Sequence, residues 1–249
     1  MEFENRSVLV TGAASGLGRA TARDLARRGA QLFLVDIDNA GLEETRSQCL
    51  ADGGSEVEIL AADLADPASA PMIVDRATQA HGGLDALVNV AGLLLMKHAK
   101  DTSVAEWDKV FAINARAPFL LFQSALPHLL EREGAVVNVA SASGLMGHAY
   151  IAAYGASKGA LIALTKNLAT EFTNTPLRIN AVAPGPIDTP MAAKSTLPEN
   201  IEGALLAKGA GMRDFATPED LTEIICYLAS PRNKRMHGTV VSIDQGVTA

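Results

Sequence analysis

Seven short apolar runs, SVLVTG, QLFLVDID, EVEILAADL, ALVNVAG, AVVNVAS, RINAVAPG and TVVSIDQG, recur along the 249-residue chain and alternate with helical patterns. No other feature limits the fold as strongly. Runs that stay apolar at every position belong to strands buried on both faces, which is the condition of a parallel sheet. Between them, apolar residues return at three- and four-residue spacing, as in Val110, Ile113, Ala117, Leu120 and Leu121, the period of a helix packed along one face. The alternation predicts an α/β chain with a doubly wound, parallel seven-stranded sheet flanked by helices in three layers. The longest turn-rich stretch, PGPIDTP over 184–190, is short and has apolar flanks. It reads as a functional loop, so one domain over 1–249 is expected.

In such sheets ligands bind beyond the carboxyl ends of the strands, where strand order reverses. The residues at those ends are therefore the candidates for chemistry. After the first run comes TGAASGLG, residues 11–18, followed by the helical LGRATARDLARRG. A strand, a glycine turn and a helix suit a dinucleotide phosphate, because the turn lets backbone approach the ligand and the helix N-terminus presents free N–H groups. The second run ends on Asp36, eighteen residues past Gly18. An acid there can accept hydrogen bonds from an adenosine ribose and repels a 2′-phosphate. Ser15 and Ile37 are not basic, so nothing offsets that repulsion and NAD is expected over NADP. The third run ends at Asp63-Leu64, the fourth at Asn89-Val90-Ala91-Gly92 and the fifth at Ser141.

Tyr154 and Lys158 lie four residues apart in AAYGASKGALIALTK, a spacing that puts both on one helix face. A phenol is a poor base at neutral pH unless its anion is stabilised. An ammonium about 4 Å away, at an effective dielectric near 20, supplies roughly 4 kcal/mol, or about three pKa units, which would bring Tyr154 to about 7. Ser141, thirteen residues upstream, and Ser143 both carry a hydroxyl able to donate to a developing alkoxide. Asn114 falls inside a predicted helix.

Composition narrows the partners. A net charge of −7 and 4% aromatic residues leave no basic footprint or stacking platform for nucleic acid. Hydrophobic residues make up 48% of the chain and charged ones 20%, the balance of a large folded core around a small-molecule site. MEFENRSVLV lacks the basic region and apolar segment of a secretory signal, and no apolar run reaches the ~20 residues of a membrane span, so a cytoplasmic location is expected. Cys49 and Cys226 stand alone and the five histidines are scattered, so no metal site is expected.

Together the motifs resemble the short-chain dehydrogenase/reductase family, in its single-domain branch of about 250 residues, whose fold is Rossmann-like. The resemblance spans essentially the whole chain in family order: TGAASGLG, Asp36, Asp63, NVAG, Asn114, Ser141, Tyr154-x-x-x-Lys158 and PGPIDT over 184–189. It implies that Gly12, Gly16 and Gly18 form the turn, with Ser15 and Leu17 against the pyrophosphate and nearby ribose. Asp63 and Leu64 would contact adenine; Asn89, Ala91 and Gly92 would support the adenosine ribose side. Lys158 would hold the nicotinamide ribose and depress the Tyr154 pKa. Ile187 and Thr189 would fix the carboxamide, with Pro184 and Gly185 shaping the loop. Tyr154 becomes the general acid/base, Ser141, rather than Ser143, the polariser of the substrate oxygen, and Asn114 the holder of a relay water. The resemblance also implies a homotetramer built through the helices carrying Asn114 and Tyr154. Two departures stand out: Asn89-Val90 where two asparagines are common, and Asp244-Gln245-Gly246 where a central glycine is common.

Substrate choice is expected from Leu93 to His98, Leu145 to Ile151 and Met191 to Phe215, with a loop or lid over about 190–215. All three are rich in Leu, Met and Ala, and His148 stands among them. An apolar pocket follows. The expected reaction is NAD(H)-dependent interconversion of a hydrophobic secondary alcohol, cyclic or open-chain, and its ketone. An NAD-dependent epimerase or dehydratase and a noncatalytic nucleotide-sensing scaffold are the alternatives.

Overall fold

The computed structural model describes residues 1–207, 209 and 213–249. Its strands are β1 (Ser7–Thr11), β2 (Gln31–Asp36), β3 (Val57–Ala61), β4 (Ala86–Asn89), β5 (Ala135–Val139), β6 (Arg178–Pro184) and β7 (Val240–Ile243). All pair in parallel, in the order β3-β2-β1-β4-β5-β6-β7. Order reverses between β1 and β4, which opens a crevice at their carboxyl ends.

Alternation along each strand feeds two cores. Val8 and Val10 of β1, with Leu32 and Leu34 of β2, pack on one side against α1 (Gly16–Arg27), α2 (Asn39–Ala51) and α9 (Glu219–Ala229). Leu9, Phe33 and Val35 face the other way, onto α3 (Ser69–His81), α5 (Ala117–Glu131) and α6 (Ala152–Glu171). Both faces are covered, so the strands read as continuous apolar runs.

The helical pattern through Val110, Ile113, Ala117, Leu120 and Leu121 is interrupted at Asn114. It divides into α4 (Val104–Phe111), a π-helical turn over Ala112–Arg116, and α5. Ser103 and Glu106 start α4 with a capping box. The register change follows from Pro118, which has no N–H to return to the Asn114 carbonyl four residues earlier. In the π turn the Ala117 N–H instead reaches back five residues to Ala112. Two short helices, α7 (Pro190–Ala193) and α8 (Gly203–Ala207), lie beyond β6 in the segment expected to form a lid.

Candidate active site

A cavity of about 730 Å³ opens at the carboxyl ends of the strands, over the switch point. One half is backbone-rich. Gly12 takes φ +70° at the end of β1, and a Cβ on Gly18 would fall onto the Gly12 carbonyl, so only glycine lets turn and helix meet this closely. Ser15, the N-cap of α1, makes no side-chain capping bond, which leaves the first N–H groups of the helix for an anion. The Thr11 hydroxyl accepts from the Val90 and Ala91 N–H groups at 3.2 Å each and fixes the loop after β4. Asp36 closes this half. Its carboxylate oxygens accept from the N–H of Ala14 and of Asp38, both at 3.1 Å, and each keeps a lone pair for a ligand hydroxyl. A cradle that a Cβ would fill, a helix terminus and a fixed carboxylate fit a dinucleotide.

At the other end the cavity is lined by Ser141, Tyr154 and Lys158. Ser141, two residues past β5, is buried and accepts from the Ser143 N–H at 3.1 Å. The Lys158 ammonium, also buried, donates to the Val139 carbonyl at 2.7 Å and sits 5.8 Å from the centre of the Tyr154 ring. Burial lowers the Lys158 pKa to about 8. Desolvation pushes the Tyr154 phenol up, opposed by the adjacent Ser141 hydroxyl. The expected descent of Tyr154 to about 7 is therefore not met: desolvation is the largest influence on the phenol, and among the described residues Lys158 does not hydrogen-bond it.

Of the residues singled out from sequence, Gly12, Ser15, Gly16, Leu17, Gly18, Asp36, Asp63, Leu64, Ala91, Gly92, Ser141, Tyr154, Lys158, Pro184, Gly185, Ile187 and Thr189 all line this cavity. Asn89 does not. It is buried at the end of β4, where its amide donates to Asn138 at 2.8 Å across the sheet and braces the strand ends, while its Oδ1 has no hydrogen-bond partner among the described residues. Asn114 lies under the floor, fully buried in the π turn. Its amide accepts from the Leu93 N–H at 2.7 Å and donates to the Leu93 carbonyl and the Ser157 hydroxyl, both at 3.0 Å. Ser157 in turn donates to the Tyr154 carbonyl at 2.7 Å, so Asn114 ties the loop after β4 to the helix of Tyr154 and Lys158. Thr11 and Ser157 were not assigned roles from sequence. Thr11 was visible as the first letter of TGAASGLG; nothing in the sequence marks Ser157.

The departures have local explanations. Val90 packs against the core on the α1 side, so the second asparagine is replaced by an apolar contact. Gln245 holds φ +54°, the left-handed region where glycine is easiest, next to Gly185 of the loop after β6. Leu93, Leu94, Met191 and His148 line the cavity, and Leu95 does not. Met212 lies outside the described residues. Among those residues no three His, Cys, Asp or Glu side chains gather as metal ligands, and no helix is long and apolar enough to cross a membrane.

A family model described as "Enoyl-(Acyl carrier protein) reductase" matches residues 12–248. The chain is 34% identical to 2-(S)-hydroxypropyl-CoM dehydrogenase 3 of Xanthobacter autotrophicus, covering 99% of this chain and 98% of that one. It is 37% identical to levodione reductase of Leifsonia aquatica, with coverage of 99% and 96%. It is 36% identical to cis-4-hydroxycyclohexanecarboxylate dehydrogenase of Sinomonas cyclohexanicum, with 99% and 98% covered. Among solved structures, a short chain dehydrogenase from Mycobacterium paratuberculosis bound to NAD superposes with TM-score 0.91 at 26% identity, over 100% of this chain and 99% of that one. One from Burkholderia cenocepacia in complex with NADP gives 0.90 at 29%, over all of both chains. The glycine cradle, the Ser141, Tyr154 and Lys158 end of the cleft, and these full-length matches lead to one conclusion: the chain belongs to the short-chain dehydrogenase/reductase family.

Proposed function

We propose that the protein is an NAD(H)-dependent oxidoreductase that interconverts a hydrophobic, cyclic secondary alcohol and its ketone. The observation that carries this reading is the meeting of Ser141, Tyr154 and Lys158 at one end of a cavity whose other end is the glycine cradle and Asp36. Relatives named for dehydrogenation and reduction, one of them for a hydroxycyclohexane carboxylate, support the reaction class and the ring. Nicotinamide-bound neighbours of the same fold support the cofactor class, and both NAD and NADP occur among them.

The choice of NAD rests on Asp36. Its carboxylate is pinned by two backbone donors at the end of β2, so it cannot swing away from a 2′-phosphate, and that repulsion goes uncompensated at Ser15 and Ile37. The nearby Arg19 is held by Glu44 at 2.7 Å and by the Ala14 carbonyl, so its charge is already engaged. Gly12, Gly16 and Gly18 with Ser15 and Leu17 hold the pyrophosphate side; Asp63, Leu64, Ala91 and Gly92 hold the adenosine side; Pro184, Gly185, Ile187 and Thr189 hold the carboxamide side. When bound, the nicotinamide supplies or accepts the hydride.

The chain's own groups manage the proton. Tyr154 Oη takes it from the alcohol during oxidation and returns it during reduction. Ser141 Oγ donates to the substrate oxygen, where negative charge develops. Lys158, held by the Val139 carbonyl, places a positive charge beside the phenol and favours the phenolate against the desolvation that opposes it. Asn114 is a positioning residue that fixes Leu93 and Ser157, and its carbonyl serves as the acceptor for a relay water leading to Lys158. A homotetramer through the faces of α4, α5 and α6 completes the reading.

The test is a screen of cyclic secondary alcohols with NAD or NADP, followed by NADH or NADPH absorbance, with Asp36→Ala in parallel. The reading expects NAD to be favoured by at least about tenfold in the wild type and the preference to collapse in D36A. Unchanged cofactor preference in D36A would remove Asp36 from its role.

A further inference from the structure

The oxidoreductase reading assigns Ser141, Tyr154 and Lys158 at the reacting end of the cavity and leaves the imidazole of His148 without a role. His148 lines the same cavity as Tyr154, and its Nε2 is buried without a hydrogen-bond partner among the described residues. The same lining includes the apolar side chains of Met96, Met191, Leu205 and Leu206. A buried nitrogen without a partner costs free energy, and such atoms occur where a ligand or water completes them.

Beyond β6, one residue packs directly on this imidazole. Gly209 comes so close that a Cβ there would collide with the His148 ring. Two contacts tie the segment before α8 to residues beside the cleft: the Tyr150 hydroxyl accepts from the Glu202 N–H at 2.8 Å, and His98 Nε2 meets the Glu199 carbonyl at 2.8 Å. Tyr150 takes φ +66° to do so, a conformation that costs about 1–3 kcal/mol in a non-glycine residue. Gly209 thus bounds the His148 ring on one side. Burial lowers its pKa from the ordinary value, so at neutral pH it offers a hydrogen bond without a charge.

We propose that His148 determines substrate specificity: its Nε2 hydrogen-bonds a second, uncharged polar group, a carbonyl or hydroxyl, that the substrate carries away from its reacting carbon. This rests on the secondary-alcohol reading above. A neutral imidazole nitrogen donates in one tautomer and accepts in the other, so either group satisfies it. A carboxylate gains less from a neutral partner. The substrate class is therefore a ring bearing two oxygen functions, one at Ser141 and Tyr154 and the other at His148.

The experiment compares cyclohexanone with para-cyclohexanedione, whose carbonyls lie on opposite ring carbons, in wild type, His148→Leu and His148→Gln. Two ratios are read: kcat/KM with NADH, and affinity for the NAD-loaded enzyme, in which neither ketone is reduced. The wild type should favour the dione by about tenfold in both ratios, the worth of one buried hydrogen bond. H148L should bring both ratios near one, and H148Q, which keeps a side-chain amide near the Nε2 position, should recover part of the preference. A wild-type ratio near one, or a ratio in H148L equal to that of the wild type, overturns the role of His148 while leaving oxidoreduction intact. If no ketone is reduced but the affinity ratio still follows residue 148, the oxidoreductase reading fails and the binding role stands.

Discussion

At the scale of single residues, Lys158 shows function opposing stability. It is an ammonium buried to 3% exposure with one hydrogen bond, to the Val139 carbonyl. Its pKa falls from 10.5 to about 8 on folding, so the native state binds the proton less tightly than the unfolded chain. The sign follows: stability rises as pH climbs from about 8 to 10.5, where the unfolded chain still holds the proton and the native state has released it. Lys158→Met should therefore abolish most turnover yet raise stability at pH 7 by about 2 kcal/mol, once the lost bond to Val139 is offset. Its advantage over wild type should shrink above pH 10. Thermal unfolding across pH checks this, and a variant less stable than wild type at pH 7 would mean that the buried charge is better compensated than its partners indicate. Sequence spacing made Tyr154 and Lys158 neighbours, because helix periodicity is local. It could not supply the desolvation that governs their titration, since that depends on what the rest of the fold lays over them.

At the scale of elements, contacts of the Tyr150 side chain join the loop before α6 to its neighbours over the cleft. The Tyr150 hydroxyl bonds the backbone at Glu202, and the His98 ring meets the Tyr150 ring edge-on at 5.0 Å between centres. Tyr150→Phe removes one hydrogen bond between the loop before α6 and the segment before α8. It should raise KM about fivefold with little change in kcat, since one such bond contributes about 1 kcal/mol and lies away from the reacting atoms. Steady-state kinetics decides it; a drop in kcat with KM unchanged would place Tyr150 in the chemistry. The strands and most helices were legible because their periodicity and flanking glycines are local signals. The π turn was not, although Pro118 marked the place where an ordinary hydrogen bond must fail. Motif order located Asn89 at a strand end, where β4 has it, but only the pairing of β4 with β5 shows its amide turned to Asn138.

At the scale of the whole molecule, the sheet orders seven strand ends so that distant motifs share one crevice, and the fold's outer helices retain apolar surface. Trp107 stacks on Phe111 at 4.8 Å, and Trp107 and Phe119 are each 39% exposed. Phe119→Lys should lower the solution mass if α4 and α5 form the subunit contact, which sedimentation or light scattering would read; an unchanged mass would move the contact elsewhere. The central claim is that Tyr154 transfers the proton in an NAD-linked oxidation. Its most direct measurement is NADH formation from a cyclic secondary alcohol by wild type and Tyr154→Phe across pH, alongside NAD affinity. Wild-type oxidation should rise with pH as the phenol loses its proton, and Y154F should lose about a hundredfold to ten-thousandfold in kcat while keeping its affinity for NAD. A Y154F enzyme that oxidises the alcohol at the wild-type rate with the same pH profile would contradict the claim.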